Sequence, residues 1–411
     1  MKIFWEIEAQ QRQNLLMLFA ASLLFWSSVA SMLPTIPQYV EDMGGTKQQV
    51  GLVISSFSIG LILFRTIIGR LADQHSRKLV LLIGSSIGAI APLCYLLVDS
   101  IGLLMFMRGF HGISLAAFTT GYLALVTDLS PVDKRGELLS YMNLATPIGL
   151  AIGPALGGFI QAGVNNTALF VTISGLSWLS WLFTSQVREP QKVQEMAPEA
   201  KEAASIPLWQ LVISPRMRIP ALVLLLVGLS FGGVTTFVPL FIREIGVNLN
   251  PGLYFTAAAI ASFNIRLLTG PASDRYGRGI FITGSLISFG LAMLVLSQAQ
   301  SPQVLLLAGV MQGLGTGTIL SIMVALLSDR SLSTERGIVY SVGLSGFDLG
   351  GAIAPPIFGL FADLIDYQGI FYLATIISFL ALITFLTQSG KNLSHSLRFA
   401  TSREADIYAV E

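Results

Sequence analysis

The sequence predicts an all-α membrane protein: twelve transmembrane helices in two homologous six-helix bundles. Three observations predict it. Hydrophobic residues make up 53% of the 411-residue chain and charged residues only 11%, against about 25% charged in soluble proteins, so there is too little polar material to coat a water-soluble globule. Apolar runs long enough for a hydrocarbon core of about 30 Å recur along the whole chain. A stretch from the first half also returns in the second: Arg65 to Lys78 reads RTIIGRLADQHSRK, and Arg266 to Gly279 reads RLLTGPASDRYGRG.

The repeat keeps one register. Arg65 and Arg266, Gly69 and Gly270, Asp73 and Asp274, and Arg77 and Arg278 each stand 201 positions apart. The same offset relates Gly112 to Gly313, Asp128 to Asp329, Arg135 to Arg336, Gly149 to Gly350, Pro154 to Pro355 and Gly158 to Gly359. Scattered composition would not hold a single spacing across four helices and their loops, so the chain reads as a duplication of a unit of roughly 200 residues.

Taken in order, a short polar lead, MKIFWEIEAQQRQ, precedes an apolar run from Leu15 to about Tyr39. That run exceeds the roughly 7 to 15 residues of a secretory h-region and is expected to stay as a spanning helix. Further spans are expected at 48–72, 79–98, 101–128, 136–162, 166–187, 219–242, 252–273, 279–298, 302–328, 337–362 and 367–388. Residues 1–187 thus form the N-terminal bundle and 219–388 the C-terminal bundle. Between them 188–218, with Pro190, Pro198, Pro207 and Pro215 among glutamates, reads as a cytoplasmic linker with a surface helix near Leu208 to Ile213. Residues 389–411 read as a polar cytoplasmic tail, expected to tether rather than to dock. With the N-terminus in the cytoplasm, only Lys47 and Arg243 fall outside, and Arg65, Arg108 and Arg266 fall within spans. This bias predicts both termini in the cytoplasm; the expected location is the plasma (inner) membrane of a bacterium.

Several classes are excluded. A net charge of +1 and the lack of a basic stripe with interleaved aromatics leave no nucleic-acid surface. Cys94 is the single cysteine, so neither a disulfide framework nor a thiolate metal site is expected. The sequence holds no GxxxxGK[ST] phosphate loop and no HExxH, GxSxG or CxxC, which argues against ATP hydrolysis, against a membrane enzyme and against a bound cofactor. Energy for any transport must come from a gradient.

Twelve expected helices in two repeats, with GRLADQHSRK after the second, resemble the major facilitator superfamily, whose pattern at that place is GxLaDrxGrr. RGFHGISLAAF, from Arg108 to Phe118, is similar to the family's fourth-helix Arg and Gly motif, and GLAIGPALGG, from Gly149 to Gly158, is similar to the fifth-helix signature of its proton-driven exporters. Gln74 and Ser76 depart from the pattern in the first copy, while the second keeps Arg275 and Gly277. The resemblance implies the major facilitator fold and a secondary transporter whose two bundles rock about a central cavity, exchanging inward protons for an outgoing small organic or amphipathic molecule. The outward direction comes from the resemblance alone. An uptake symporter or facilitator of a small metabolite stays open, as does a transport-inactive membrane sensor or scaffold. The expected partners are a small-molecule substrate, protons and the lipid bilayer, with the chain acting as a monomer.

Candidate residues follow from charge and spacing. An Asp past a helix end with an Arg four residues on can bond neighbouring helix ends, so Asp73, Arg77 and Asp128, with Asp274, Arg278 and Asp329, are expected to form a gating charge network in each half; charges that only fix topology are the alternative. Gly149, Gly153, Gly157 and Gly158 share a small face that Pro154 allows to bend, and Gly350, Pro355 and Gly359 repeat it, as a moving seam or a static contact. Asp348 lies 12 residues, about 18 Å, along the eleventh span from Arg336. It is a proton-coupling candidate with Arg108, a fixed cation, and His111, which titrates near neutrality; permanent pairing or packing are the alternatives. Arg65 and Arg266 read as clamps between the bundles. Trp26, Tyr122, Phe231, Phe237, Asn264 and Gln312 are candidates to line the substrate cavity, although the apolar members equally suit the core.

Overall fold

The structure is a computed structural model that describes residues 6–131, 133–189, 211, 213–332 and 336–410. Of the expected surface helix at 208–213, all but Leu211 and Ile213 lie outside the described residues. The chain divides into two compact units, residues 1–193 with 249–256 and residues 194–248 with 257–411.

In the first unit the helices are α1 (Ala9–Asp42), α2 (Lys47–Gln74), α3 (Arg77–Tyr95), α4 (Ile101–Leu129), α5 (Arg135–Met142), α6 (Ala145–Gly163) and α7 (Asn166–Gln186). Their starts are written in the sequence. Thr46 and Gln49 form a capping box at α2, while Ser76, Ser100 and Asn165 accept the first free amides of α3, α4 and α7. The fifth crossing is in two pieces, α5 and α6, parted at Asn143 and Leu144. One carbonyl left over at the end of α5 is taken by Tyr122, whose hydroxyl donates to Met142 O at 2.7 Å. Phe25 of α1 stacks on Phe118 of α4 with ring centroids 3.9 Å apart, in a core shared with Leu15, Leu81, Leu125 and Leu138.

The second unit contains α8 (Arg218–Glu244), most of α9 (Pro251–Tyr276), α10 (Arg278–Ser297), α11 (Pro302–Asp329), α12 (Arg336–Gln388) and α13 (Leu393–Ala400). Helix α12 is broken once, at Asp366, whose φ of 55° and ψ of 175° leave the helical region, so it supplies two crossings. Among the described residues ten helices, α12 counted once, are long and apolar enough to cross a membrane. Helix α9 has the length and carries Arg266, Asp274 and Arg275. The twelve expected crossings are thereby accounted for.

The duplication shows in how backbones meet. Where α4 crosses α2, a Cβ added to Gly112 would lie 2.0 Å from Phe57 O; where α11 crosses α9, a Cβ on Gly313 would lie 2.1 Å from Ala258 O. Phe57 and Ala258 are themselves 201 apart. Small residues here let helix axes approach closely, which in lipid replaces the hydrophobic drive to associate.

The tail does not merely tether, as its polar composition suggested. Asn392 caps α13 by accepting His395 N–H at 2.8 Å, Phe399 and Ala400 are buried, and the chain beyond bonds to α10 and α11 of its own unit: Val410 N–H donates to Asp329 O at 2.8 Å. A helix with one apolar face this close to a bundle end gains more by burying it than by remaining solvated.

Candidate functional site

Five of the six residues expected in the charge networks take part in ion pairs. Arg77, at the start of α3, is ion-paired with Asp128 at the end of α4, and its Nη1 also donates to Ala124 O at 3.3 Å. In the second unit Arg278, at the start of α10, bonds Asp329 at the end of α11 through Nε at 3.0 Å, pairs with Asp274, and donates to Ser273 Oγ at 2.7 Å. Asp73, the counterpart of Asp274, is exposed. The side chains in these pairs keep 19% to 64% of their surface, and pairs so open to water contribute only about 0.2–1 kcal/mol each. They align helix ends without locking them.

A second pair differs in kind. Arg330 is 1% exposed and Asp406 10%; Nε donates to Oδ2 at 2.6 Å, Nη2 to Oδ1 at 3.0 Å, and Nη1 to Arg216 O at 2.8 Å. Breaking a buried pair leaves an uncompensated charge at a cost of about 3–5 kcal/mol. This one is a fixture.

Deep in the first unit Arg108 and His111 are both buried on α4. Arg108 Nη1 lies 3.4 Å from Met32 Sδ and the guanidinium sits 4.6 Å from the Phe57 ring centre, a cation held by a thioether and an aromatic face. His111 Nδ1 is 2.8 Å from the Tyr95 hydroxyl. Arg108 Nε and His111 Nε2 have no hydrogen-bond partner, and among the described residues no carboxylate pairs with Arg108. A buried, underbonded cation attracts an anion or disfavours a second positive charge beside it.

The other expected residues are spread out. Asp348 is exposed on α12, and Arg65 and Arg266 are exposed on α2 and α9. Gly149, Gly153 and Gly157 press α6 against α1, where added Cβ atoms would meet Trp26, Ser27 and Ser31 at 2.3 to 2.6 Å, and Ser31 Oγ donates to Gly153 O at 2.8 Å. Gly350 presses α12 against Leu225 of α8 in the same manner, and Gly158 faces Asn250. Pro154 and Pro355 lie inside continuous helix, and Gly359 is buried. Tyr122 and Phe237 belong to the cores: Tyr122 stacks on Phe118, and Phe237 is fully buried and stacks on Tyr367. Gln312 is 2% exposed. Trp26 and Phe231 are half-buried, and Asn264 is exposed, donating to Ile260 O at 2.8 Å. Glu189, Tyr95, Arg330, Ser402 and Asp406 carry contacts that sequence spacing did not single out.

Two repeated sets of membrane-spanning helices, each with an Arg and Asp network at the same repeat position, have the architecture of a membrane transporter. The sequence model of the Major Facilitator Superfamily matches residues 16–265 and 250–402, and the chain belongs to that family. It is 27% identical over 379 residues to the Multi-drug resistance efflux pump PmrA of Streptococcus pneumoniae, covering 89% of this chain and 93% of that protein. It is 24% identical over 226 residues to the Quinolone resistance protein NorA of Staphylococcus aureus, covering 54% of this chain and 55% of that one. Among solved structures, a variant of the nucleoside transporter NupG superposes with a TM-score of 0.77 at 17% identity, covering 91% of this chain and 99% of the other. A bacterial homologue of the human lysosomal transporter Spinster gives 0.76 at 14% identity, covering 98% and 99%.

Proposed function

We propose that the chain is a proton-coupled exporter that carries a small organic or amphipathic molecule out of a bacterial cell by alternating access, working as a monomer with both termini in the cytoplasm. The observation that carries the reading is the pairing of weak charge networks at repeat-equivalent positions, Arg77 with Asp128 and Arg278 with Asp274 and Asp329. A gate must cost little to open, and pairs of about 0.2–1 kcal/mol meet that need where a buried pair would not. The outward direction draws on the relatives named for multidrug efflux and quinolone resistance. Asp348 of the second unit is the candidate for the exchanging carboxyl, and Arg108 with His111 on α4 of the first unit is a separate candidate set. Desolvation that comes and goes would move such a carboxyl between its two protonation states.

Inside-out vesicles loaded with the protein, an imposed pH gradient and a fluorescent cationic dye test this. Wild type is expected to accumulate dye when the lumen is acid and to stop when the gradient is collapsed. Arg77→Ala and Arg278→Ala are expected to cut the rate at least tenfold with little change in melting, and Asp348→Asn to abolish gradient dependence. Dye movement indifferent to the gradient, or undiminished proton-driven flux in Asp348→Asn, sinks the coupling assignment; dye expelled from the vesicles reverses the direction.

A further inference from the structure

The two copies of the loop before the third helix of each half solve the same problem with different parts. The first amides of any helix lack internal partners. In the first unit Ser76 caps α3 itself, accepting Leu79 N–H at 3.0 Å, and Glu189, just past α7, accepts Arg77 N–H at 2.8 Å and the Ser76 hydroxyl. The repeat counterpart of Ser76 is Gly277, which has no side chain to cap with, and the counterpart of Lys78 is Gly279.

What replaces the missing cap comes from the far end of the chain. Ser402 Oγ accepts Ile280 N–H at 3.1 Å, from 122 positions away. A Cβ on Gly277 would lie 2.6 Å from that oxygen, and a Cβ on Gly279 would lie 1.8 Å from Phe399 O, so both glycines leave space that the tail occupies. Gly277 also needs its φ of +90°, which an L side chain resists. Ser402 is itself held at a φ of 55°, a left-handed backbone that serine adopts only under constraint. The constraint is visible: Thr283 Oγ1 donates to Ala400 O at 2.9 Å on one side, and Arg330 grips Asp406 on the other. Between tail and loop lies a cleft of about 550 Å³ whose walls include Asp274, Arg278 and Asp329 together with Glu404 and Asp406.

We infer that residues 389–410 are a positioning device for the second charge network: Ser402 caps α10 in place of the absent serine, and Asp406, anchored on Arg330, holds Ser402 there. The cap fixes the turn from which Arg278 projects, and Val410 N–H, on Asp329 O, fixes the other end of the same ion pair. The tail is therefore to the second network what Ser76 and Glu189 are to the first. The inference rests on reading that network as a gate, and its first test does not.

Hydrogen exchange of the purified full chain in lipid nanodiscs, read over 274–297, gives that test. Ser402→Ala is expected to speed exchange at 278–281 about fivefold, the value of a cap worth about 1 kcal/mol, and to leave 286–297 unchanged. A chain ending at Gln388 is expected to show the same effect or more. Exchange at 278–281 equal to wild type in both variants overturns the inference. In the vesicle assay, Ser402→Ala is expected to lower kcat with KM unchanged. Faster exchange with unaltered kcat and KM would make the tail a cap only and would overturn its positioning role. If wild type moves no dye, the transport reading fails and the exchange result alone judges the tail.

Discussion

Replacing Asp406 with asparagine keeps the shape of the Arg330 contact and removes its charge. The guanidinium is 1% exposed and makes three of its hydrogen bonds within 3.0 Å, two of them to the Asp406 carboxylate. Tyr408 and Phe399 rings stand 5.0 and 5.9 Å from its carbon, so water cannot easily take the place of the lost carboxylate. Removing one partner of a buried pair costs about 3–5 kcal/mol, and the 10% exposure of Asp406 argues for the lower end. At about 2–4 °C of melting temperature per kcal/mol for a unit of this size, the expected fall is about 6–12 °C. Asp329→Asn is the control: its carboxylate is 39% exposed, a surface pair is worth about 0.2–1 kcal/mol, and the shift should stay below about 4 °C. The double variant Arg330→Met with Asp406→Leu removes both charges and should recover most of the loss, because a buried pair is often replaced by apolar groups without penalty. Melting followed by size-exclusion after heating reads all four proteins. An Asp406→Asn protein that melts within about 2 °C of wild type, or a double variant no better than the single one, refutes the reasoning.

Three further outcomes are expected. Gly112→Ala and Gly313→Ala each drive a methyl into a backbone carbonyl about 2 Å away, so each should lower stability by about 1–3 kcal/mol and by similar amounts, as melting curves of the pair will show. Tyr95→Phe leaves His111 Nδ1 without the hydroxyl now 2.8 Å away; with Nε2 already unpartnered, the loss should be about 1–3 kcal/mol by thermal unfolding. Asp366→Gly relieves a backbone at φ 55° and ψ 175° that only glycine adopts freely, and should raise the melting temperature, the strain being worth about 1–3 kcal/mol.

The single offset of 201 made the architecture legible and matched the charges of the two halves, because repeat position ties Arg77 to Arg278 and Asp128 to Asp329 without any knowledge of packing. The caps from afar were not legible. Glu189 and Ser402 act on helix starts 112 and 122 residues away, and Asp406 reaches Arg330 across 76, distances at which no local spacing carries a signal. The sequence did contain a trace of them, the change from Ser76 to Gly277 between copies, which only a partner elsewhere explains. Tyr122 and Phe237 had the residue type of cavity walls, but a helix in a bundle buries most of its aromatics against its neighbours, and both found stacking partners there. The glycine runs on α6 and α12 had the spacing of a seam, and spacing does not say which helix fills the groove. Trp26 and Leu225 answer that for Gly149 and Gly350, each within its own unit.

The lone kink at Asp366 also limits what can be done to this chain. With one residue between the last two crossings, there is no exposed loop into which an epitope, a protease site or a fluorescent protein can be inserted. A residue added inside the final helix would rotate the part beyond it by about 100° and present its lipid side to its neighbours. Labels for that edge of the molecule belong on exposed side chains beside the kink, such as Leu364 or Ile365, which are 76% and 40% exposed.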